Sequence, residues 1–253
     1  PTTFVDSGLL TAEVSSTLLE SVNIADVTVG ASEKFPFSIY TFADTPSTQW
    51  YWRWVEVFFA KGITTGCAIN PLRYCPDRSV TRAEMAVFIL RAMNVEDLPY
   101  TPTPDASVVG VFSDLPVAGK DWMQPWVEEF YENGITTGCG MNPLRYCPER
   151  NVTRAEMAVF LLRTMHGASY TPPAATGGIF SDIPVAGKEW MAPWIEQFYR
   201  EGITTGCSAG KFCPEQLVTR AEMAVFIDRA FGFQQQPVSS ASLQEFLDRV
   251  FGD

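Results

Sequence analysis

Apolar and polar residues follow one pattern that is written three times along this chain. Each copy spans about 50 residues, from a Phe-x-Asp segment to the shared ending Thr-Arg-Ala-Glu-Met-Ala-Val-Phe. The copies begin at Phe42, Phe112 and Phe180, and their endings begin at Thr81, Thr153 and Thr219. A repeated unit that cannot bury its apolar face alone must pack against its neighbours, so we expect the copies to form one structure.

Each copy predicts two helices joined by a loop. In the second copy, Trp122, Trp126 and Phe130 are four residues apart and therefore lie on one face of a first helix. Gly134 follows at a place that suits the left-handed position after a helix. The second helix, residues 152–165, is apolar on nearly all sides, which is typical of a helix inside a bundle. We predict a mainly α fold: three helix-loop-helix repeats in a pseudo-threefold bundle, with short extended segments in the linkers and N-terminal region.

This pattern divides the chain into five segments. We expect an N-terminal arm or extension at residues 1–41, repeats at residues 42–105, 106–173 and 174–233, and a C-terminal linker with a short helix at residues 234–253. Between the copies the chain is rich in proline, which disfavours helix, so these linkers are predicted to run extended across the surface.

The two ends do not repeat. Residues 9–19 form an amphipathic stretch, residues 27–40 are predicted to be extended with breaks at Gly30 and Pro36, and residues 243–250 have a helical apolar pattern. Such segments either pack on the repeats or act as arms that reach another molecule, and the sequence leaves both open.

Composition narrows the class of protein. A hydrophobic content of 46% and an aromatic content of 13% exclude a disordered chain. The formal charge of -11 disfavours nucleic acid and acidic membrane surfaces as partners. No apolar run approaches the roughly 18–20 residues that a bilayer span needs, so no membrane insertion is expected. No signal pattern follows Pro1, which we therefore expect to begin a processed or truncated chain.

The cysteines fall as one pair in each copy. Local disulfides within the copies are the favoured interpretation, and they indicate an extracytoplasmic compartment. Zinc is the alternative, but each pair lacks the two further ligands of a tetrahedral site, and the single histidine, His166, is not repeated. The predicted pairs are Cys67 with Cys75, Cys139 with Cys147, and Cys207 with Cys213.

The order of these features resembles the S-layer homology (SLH) repeat: Phe-x-Asp, a Trp-bearing helix, Gly-Ile, Phe/Tyr-x-Pro and then Val-Thr-Arg-Ala-Glu. The resemblance covers about residues 42–232. It implies an extracellular module at the cell surface or cell wall, with three repeats in pseudo-threefold symmetry that bind pyruvylated secondary cell-wall polysaccharide in grooves between repeats. Two departures are the cysteine pair, where the family more often has a Gly/Asp-rich loop, and the wider spacing of the repeats.

The Thr-Arg-Ala-Glu motif has the form of a capping box, in which the threonine accepts from the N3 amide and the glutamate reaches back. The residues in these roles are Thr81 and Glu84, Thr153 and Glu156, and Thr219 and Glu222. Capping does not explain the arginine, because a cation in the first turn opposes the helix dipole. Two roles remain open for Arg82, Arg154 and Arg220: binding an anionic group beside the helix amides, or a salt bridge to Asp44, Asp114 or Asp182.

Aromatic faces suit sugar rings, although tryptophans at helical spacing also serve as core. We expect Trp50, Trp122 and Trp190 to edge the glycan grooves, together with the three arginines and the three aspartates. The function predicted is therefore a non-catalytic module that binds anionic cell-wall polysaccharide and anchors to the cell envelope. No nucleophile arrangement, acid/base pair or phosphate loop is visible, and no cofactor or metal is expected.

The alternative function is a self-assembling structural subunit of a surface layer or extracellular filament. Almost no chain remains for a cargo domain, and the mean hydropathy of +0.02 is high for an acidic protein. Both ends could exchange between subunits, for example by strand addition through residues 27–40. In that case the partner is the chain itself, in a homo-oligomer.

Overall fold

A computed structural model describes residues 2–6, 9–12, 25–29, 33–37, 41–97 and 99–233. The fold is mainly α, as predicted. Within the described part there are six α-helices: α1 (Trp52–Ala60), α2 (Arg82–Met93), α3 (Met123–Glu132), α4 (Arg154–His166), α5 (Met191–Arg200) and α6 (Arg220–Phe231). None of the helices in this part is both long and apolar enough to span a bilayer.

The strands are short and antiparallel. In the N-terminal region, β1 (Thr2–Asp6) pairs with β2 (Leu9–Ala12), and β3 (Ala25–Val29) pairs with β4 (Glu33–Phe37). In the first cysteine loop, β5 (Ala68–Ile69) pairs with β6 (Leu72–Arg73).

The predicted N-terminal elements are only partly covered by the described residues. Residues 27–40 were predicted to be extended, and β3 and β4 are, although Pro36 lies inside β4 opposite Asp26 rather than breaking it. The amphipathic stretch at residues 9–19 begins as strand β2, and its remainder lies outside the described residues. The tail helix at residues 243–250 also lies outside them, and strand addition through the N-terminal region stays a prediction.

The helix ends are built as local sequence predicts. At the start of α4, the Thr153 hydroxyl accepts from the Glu156 amide while the Glu156 carboxylate accepts from the Thr153 amide, and the same capping box starts α2 and α6. At the end of α3, Gly134 adopts φ 68°. Its amide donates to Tyr131 O at 2.8 Å and that of Ile135 to Phe130 O at 3.2 Å. These two hydrogen bonds form a Schellman motif, which ends the helix and favours glycine at the position with positive φ.

The first helix of each copy packs on the second helix of the copy before it. Thus α3 packs on α2 and α5 on α4, while α1 packs on α6, so the last copy contacts the first. Helix α6 also contacts α2 and α4. The second helices are buried along most of their length, since each packs on the first helix of the next copy in the cycle. The pseudo-threefold bundle and the segment boundaries stay predictions, and these contacts support them.

Three valines close a cycle of backbone hydrogen bonds where the second helices begin. The Val80 amide donates to Val218 O at 3.0 Å, the Val152 amide to Val80 O at 2.9 Å, and the Val218 amide to Val152 O at 2.9 Å. All three side chains are at most 1% exposed. Each copy therefore donates to one neighbour and accepts from the other, which holds the three helix starts together.

Candidate functional site

The arginine of the capping motif is buried at the junction with the next copy. Arg154 is 2% exposed; its Nε donates to Phe212 O at 2.9 Å and its Nη1 to Glu222 at 2.7 Å. Its guanidinium also lies 5.1 Å from the ring centres of both Phe212 and Phe226. Burial lowers the pKa of Arg154, although Glu222 favours the charged form. This side chain joins the second copy to the third.

The other two arginines make the same kind of contact. Arg82 donates to Tyr146 O at 2.8 Å and to Glu156 at 3.2 Å, and the Tyr146 hydroxyl donates back to Arg82 O at 2.8 Å. Arg220 donates to Tyr74 O at 2.7 Å, and the Tyr74 hydroxyl returns a bond to Arg220 O at 2.8 Å. Every junction therefore holds one buried arginine supplied by the copy before it.

The burial of Arg82, Arg154 and Arg220, which are 1–2% exposed, argues against the direct glycan contact that the sequence suggested. That contact stays a prediction. The ion-pair partners of Arg82 and Arg154 are also glutamates of the next capping box rather than the aspartates that the sequence suggested. The observed geometry assigns these arginines to the joining of copies.

The backbone amides in the first turn of each second helix also bond to a neighbouring copy. At α4, the Arg154 amide donates to Gln216 O at 2.9 Å and the Ala155 amide to Pro214 O at 3.1 Å, while Thr153 caps the Glu156 amide. The corresponding amides of α2 and α6 also donate to carbonyls of a neighbouring copy. The predicted anion site at the helix start is therefore occupied by the protein's own backbone.

The Phe-x-Asp carboxylates hold the cysteine loops. Asp114 accepts from the amides of Tyr146 and Cys147 at 2.9 and 2.8 Å. Cys147 has φ 57°, and the carboxylate fixes this left-handed turn. Asp44 and Asp182 accept the equivalent pairs of amides in the other copies. The aspartates therefore have a structural partner, and a glycan contact by them stays a proposal.

All three predicted disulfides are formed: Cys67 with Cys75, Cys139 with Cys147, and Cys207 with Cys213. In the first two copies an aspartate oxygen lies within 4.8 Å of both sulfurs, a spacing that could suit a metal ion. Because the sulfurs are bonded to each other and the carboxylate accepts two amides, these clusters are structural in the described part of the chain.

The first tryptophan of each copy is strongly exposed. Trp50 is 59% exposed, Trp122 is 48% and Trp190 is 53%, and each lies just before its helix begins. By contrast, Trp52 is 6% exposed and belongs to the core. Their exposure is compatible with contact to a ligand, and a glycan contact by these three residues stays a prediction.

Sequence reasoning missed two further sets of repeated residues. Glu128 is 1% exposed and accepts from the Gly110 amide at 2.6 Å, and Glu196 is 2% exposed and accepts from Thr176 and Gly177. These carboxylates fix the chain that leads into the second and third copies. The second set consists of Arg91, Arg163 and Arg229, near the ends of the second helices. Their recurrence at one repeat position was the available signal.

Comparison with known proteins identifies one segment of this chain. The family model of the S-layer homology domain matches residues 179–224, which lie within the third copy. An S-layer protein of Bacillus thuringiensis subsp. finitimus is 27% identical over 210 residues, 79% of this chain and 23% of that protein. An amylopullulanase of Thermoanaerobacterium thermosulfurigenes is 29% identical over 173 residues, 68% of this chain and 8% of the enzyme. Cell surface glycoprotein 1 of Acetivibrio thermocellus is 38% identical over 80 residues, 32% of this chain and 3% of that protein.

The chain thus spans less than a quarter of the length of these relatives. The family and the surface relatives locate the chain at the cell surface, as the sequence predicts. Residues 179–224, in the third copy, are therefore similar to an S-layer homology domain, and the first two copies carry the same sequence pattern.

Proposed function

We propose that this chain binds an anionic, pyruvylated cell-wall polysaccharide and thereby anchors a protein to the cell envelope, without catalysing a reaction. The observation that carries the proposal is the exposure of an equivalent tryptophan, Trp50, Trp122 or Trp190, in every copy. An indole face offers an apolar surface against which a pyranose ring can stack. The S-layer homology match in the third copy supports the choice of a cell-wall polymer.

The buried arginines have an indirect role in this proposal. Arg82, Arg154 and Arg220 keep the three copies in contact, so that the exposed tryptophans have fixed positions. Several weak sites on one rigid unit raise the overall affinity for a repeating polymer through effective concentration. Anchoring then depends on the number of intact sites as well as on the strength of each.

The test is co-sedimentation of the full chain with cell walls that carry pyruvylated polysaccharide and with walls stripped of it. We expect binding only to the former. Replacing Trp50, Trp122 and Trp190 together with alanine should abolish it. A control variant replaces Ile69 and Met141, which are 78% and 75% exposed on the cysteine loops, and should bind normally. Equal binding to stripped walls, or full binding by the tryptophan variant, would contradict the proposal.

A further inference from the structure

The segment that leaves each of the first two copies covers a tryptophan of the next copy. The Tyr100 ring meets the Trp126 ring edge to face, with ring centres 6.0 Å apart. The Tyr170 ring meets that of Trp194 in the same way, also at 6.0 Å. Each segment then enters the next copy, where a buried glutamate accepts its backbone amides. Each linker therefore has a leaving part, which covers the tryptophan, and an entering part, which a glutamate holds.

No linker joins the third copy to the first, because these copies lie at opposite ends of the repeats. The entering part is nevertheless present, since the Thr41 amide and hydroxyl donate to Glu56 at 3.0 and 2.6 Å. Glu56 has the repeat position of Glu128, which holds the first linker. The N-terminal region thus supplies the entering part at this junction, and a leaving part must come from the chain that follows α6.

The described start of that chain already lies against the end of α1. Phe233, the last described residue, is 5% exposed, and the Lys61 ammonium lies 5.7 Å from its ring centre. Lys61 is the C-cap of α1. At the second junction, His166 contacts the same repeat position, where it pairs with Glu201 at 2.9 Å. The chain therefore leaves the third copy by the route that the second linker takes.

Trp54 is the tryptophan of α1 that corresponds to Trp126 of α3. The Arg229 guanidinium lies 6.0 Å from the Trp54 ring centre, as that of Arg91 lies 5.3 Å from the Trp126 ring centre. The aromatic neighbour of Trp54 among the described residues is Trp50 of its own copy. Helix α1 thus has the tryptophan and the arginine of a linker contact, and a residue in the place of the linker tyrosine would come from beyond residue 233.

The sequence beyond residue 233 matches the first linker in its spacing. In the first linker, Pro99-Tyr100 begins eight positions after Arg91. After the third copy, Pro237-Val238 begins eight positions after Arg229. In this register Val238 takes the place of Tyr100.

The helix residues that face these two positions differ in the same sense. Tyr100 donates its hydroxyl to Glu129, which is 7% exposed. The position of Glu129 in α1 is occupied by Val57, which is half-buried and lies one turn after Trp54. A hydroxyl and a carboxylate are thus replaced by two valines, and neither pair leaves a buried polar group without a partner. This complementarity favours contact between Val238 and Val57.

We propose that residues 234–253, the tail, dock on α1 of the same molecule. Val238 then packs on Trp54 and Val57. The tail can reach this face, because five extended residues from the end of the described chain span about 17 Å, whereas the nine residues of α1 are about 14 Å long. The contact buries apolar surface of both segments, which favours docking. It also ties the third copy to the first, at the junction that no linker closes.

The first experiment is hydrogen–deuterium exchange of the full chain, read by mass spectrometry in α1 and, as an internal reference, in α3. We expect Val238→Asp to speed exchange in α1 about tenfold and to leave α3 unchanged, because a carboxylate on an apolar face favours the undocked tail. Gln235→Asp is the matched control, since it adds the same charge at the position of Asp97, which is exposed in the first linker. This control should exchange at the wild-type rate in α1. Unchanged exchange in Val238→Asp, or equal changes in both variants, would overturn the proposal.

A cross-linking experiment decides the question if Val238→Asp unfolds the whole protein. A photoreactive benzoylphenylalanine in place of Val238 should cross-link to residues 52–61 of the same molecule, with a yield that does not depend on protein concentration. The same probe in place of Val109, which is 55% exposed in the linker before the second copy, is the control and should not label α1. Cross-links from position 238 that avoid α1 would overturn the proposal. Cross-links that join two chains would also overturn it and would assign this face of α1 to a second copy of the chain.

Discussion

Replacing Arg154 with alanine is expected to destabilise the protein strongly. The substitution removes the bonds from Nε to Phe212 O and from Nη1 to Glu222, and it empties the space between the Phe212 and Phe226 rings. Breaking a buried ion pair by removing one partner costs about 3–5 kcal/mol. Because the Glu222 side chain is 17% exposed and water can solvate part of it, we expect the lower end, about 3 kcal/mol.

For a domain of this size, such a loss corresponds to a fall of about 6–12 °C in the melting temperature. The assay is thermal unfolding followed by circular dichroism at pH 7. Arg150→Ala is the matched control, since Arg150 pairs with Glu156 but its side chain is 45% exposed. Exposed pairs contribute at most about 1 kcal/mol, so this variant should unfold near the wild-type temperature. A variant Arg154→Ala that melts within 2 °C of wild type, about the effect of a surface change, would refute the assignment of this arginine to the junction.

Three further predictions concern stability. Asp228 is 3% exposed, and burial raises its pKa to about 6 from 3.8. The protonated carboxyl therefore favours folding at acidic pH, and this contribution is lost as the pH rises through about 6. We expect Asp228→Leu to raise the melting temperature more at pH 7.5 than at pH 5. Gly138→Ala should lower the melting temperature more than Gly119→Ala does. Both glycines have positive φ, but only the Gly138 substitution would place a Cβ 2.5 Å from a backbone oxygen. Replacing Cys139 and Cys147 with alanine should cost about 2–3 kcal/mol, measured by urea unfolding, and an unchanged midpoint would contradict a stabilising role for that disulfide.

The sequence by itself determined the features that depend on neighbouring residues. Helix starts at Thr81, Thr153 and Thr219 follow from side-chain and backbone groups three positions apart, and the glycine that ends α3 follows from its local conformation. The disulfides were also predictable, because each closes a short loop within one copy.

The role of the arginine was decided by tertiary structure. Within the motif, Arg154 looks like a free cation beside helix amides, because its partners are not in its own copy. Its hydrogen-bonded carbonyl belongs to Phe212, 58 positions away, and its carboxylate to Glu222, 68 positions away. Only the packing of one copy on the next brings these groups together, and the same packing closes the first-turn amides to any ligand.

The candidate site was also predicted only in part from the sequence. The aromatic spacing indicated Trp50, Trp122 and Trp190, but a helical pattern cannot show which of its members reaches the surface, and the structure exposes the first of each copy. The cleft lined by Phe59, Arg91 and Tyr100 could not be predicted from the sequence, because its walls come from helix ends, a loop and a linker that approach one another only in the folded chain. Local chemistry fixes the elements of this protein, whereas the contacts between copies decide which side chains are left to bind a ligand.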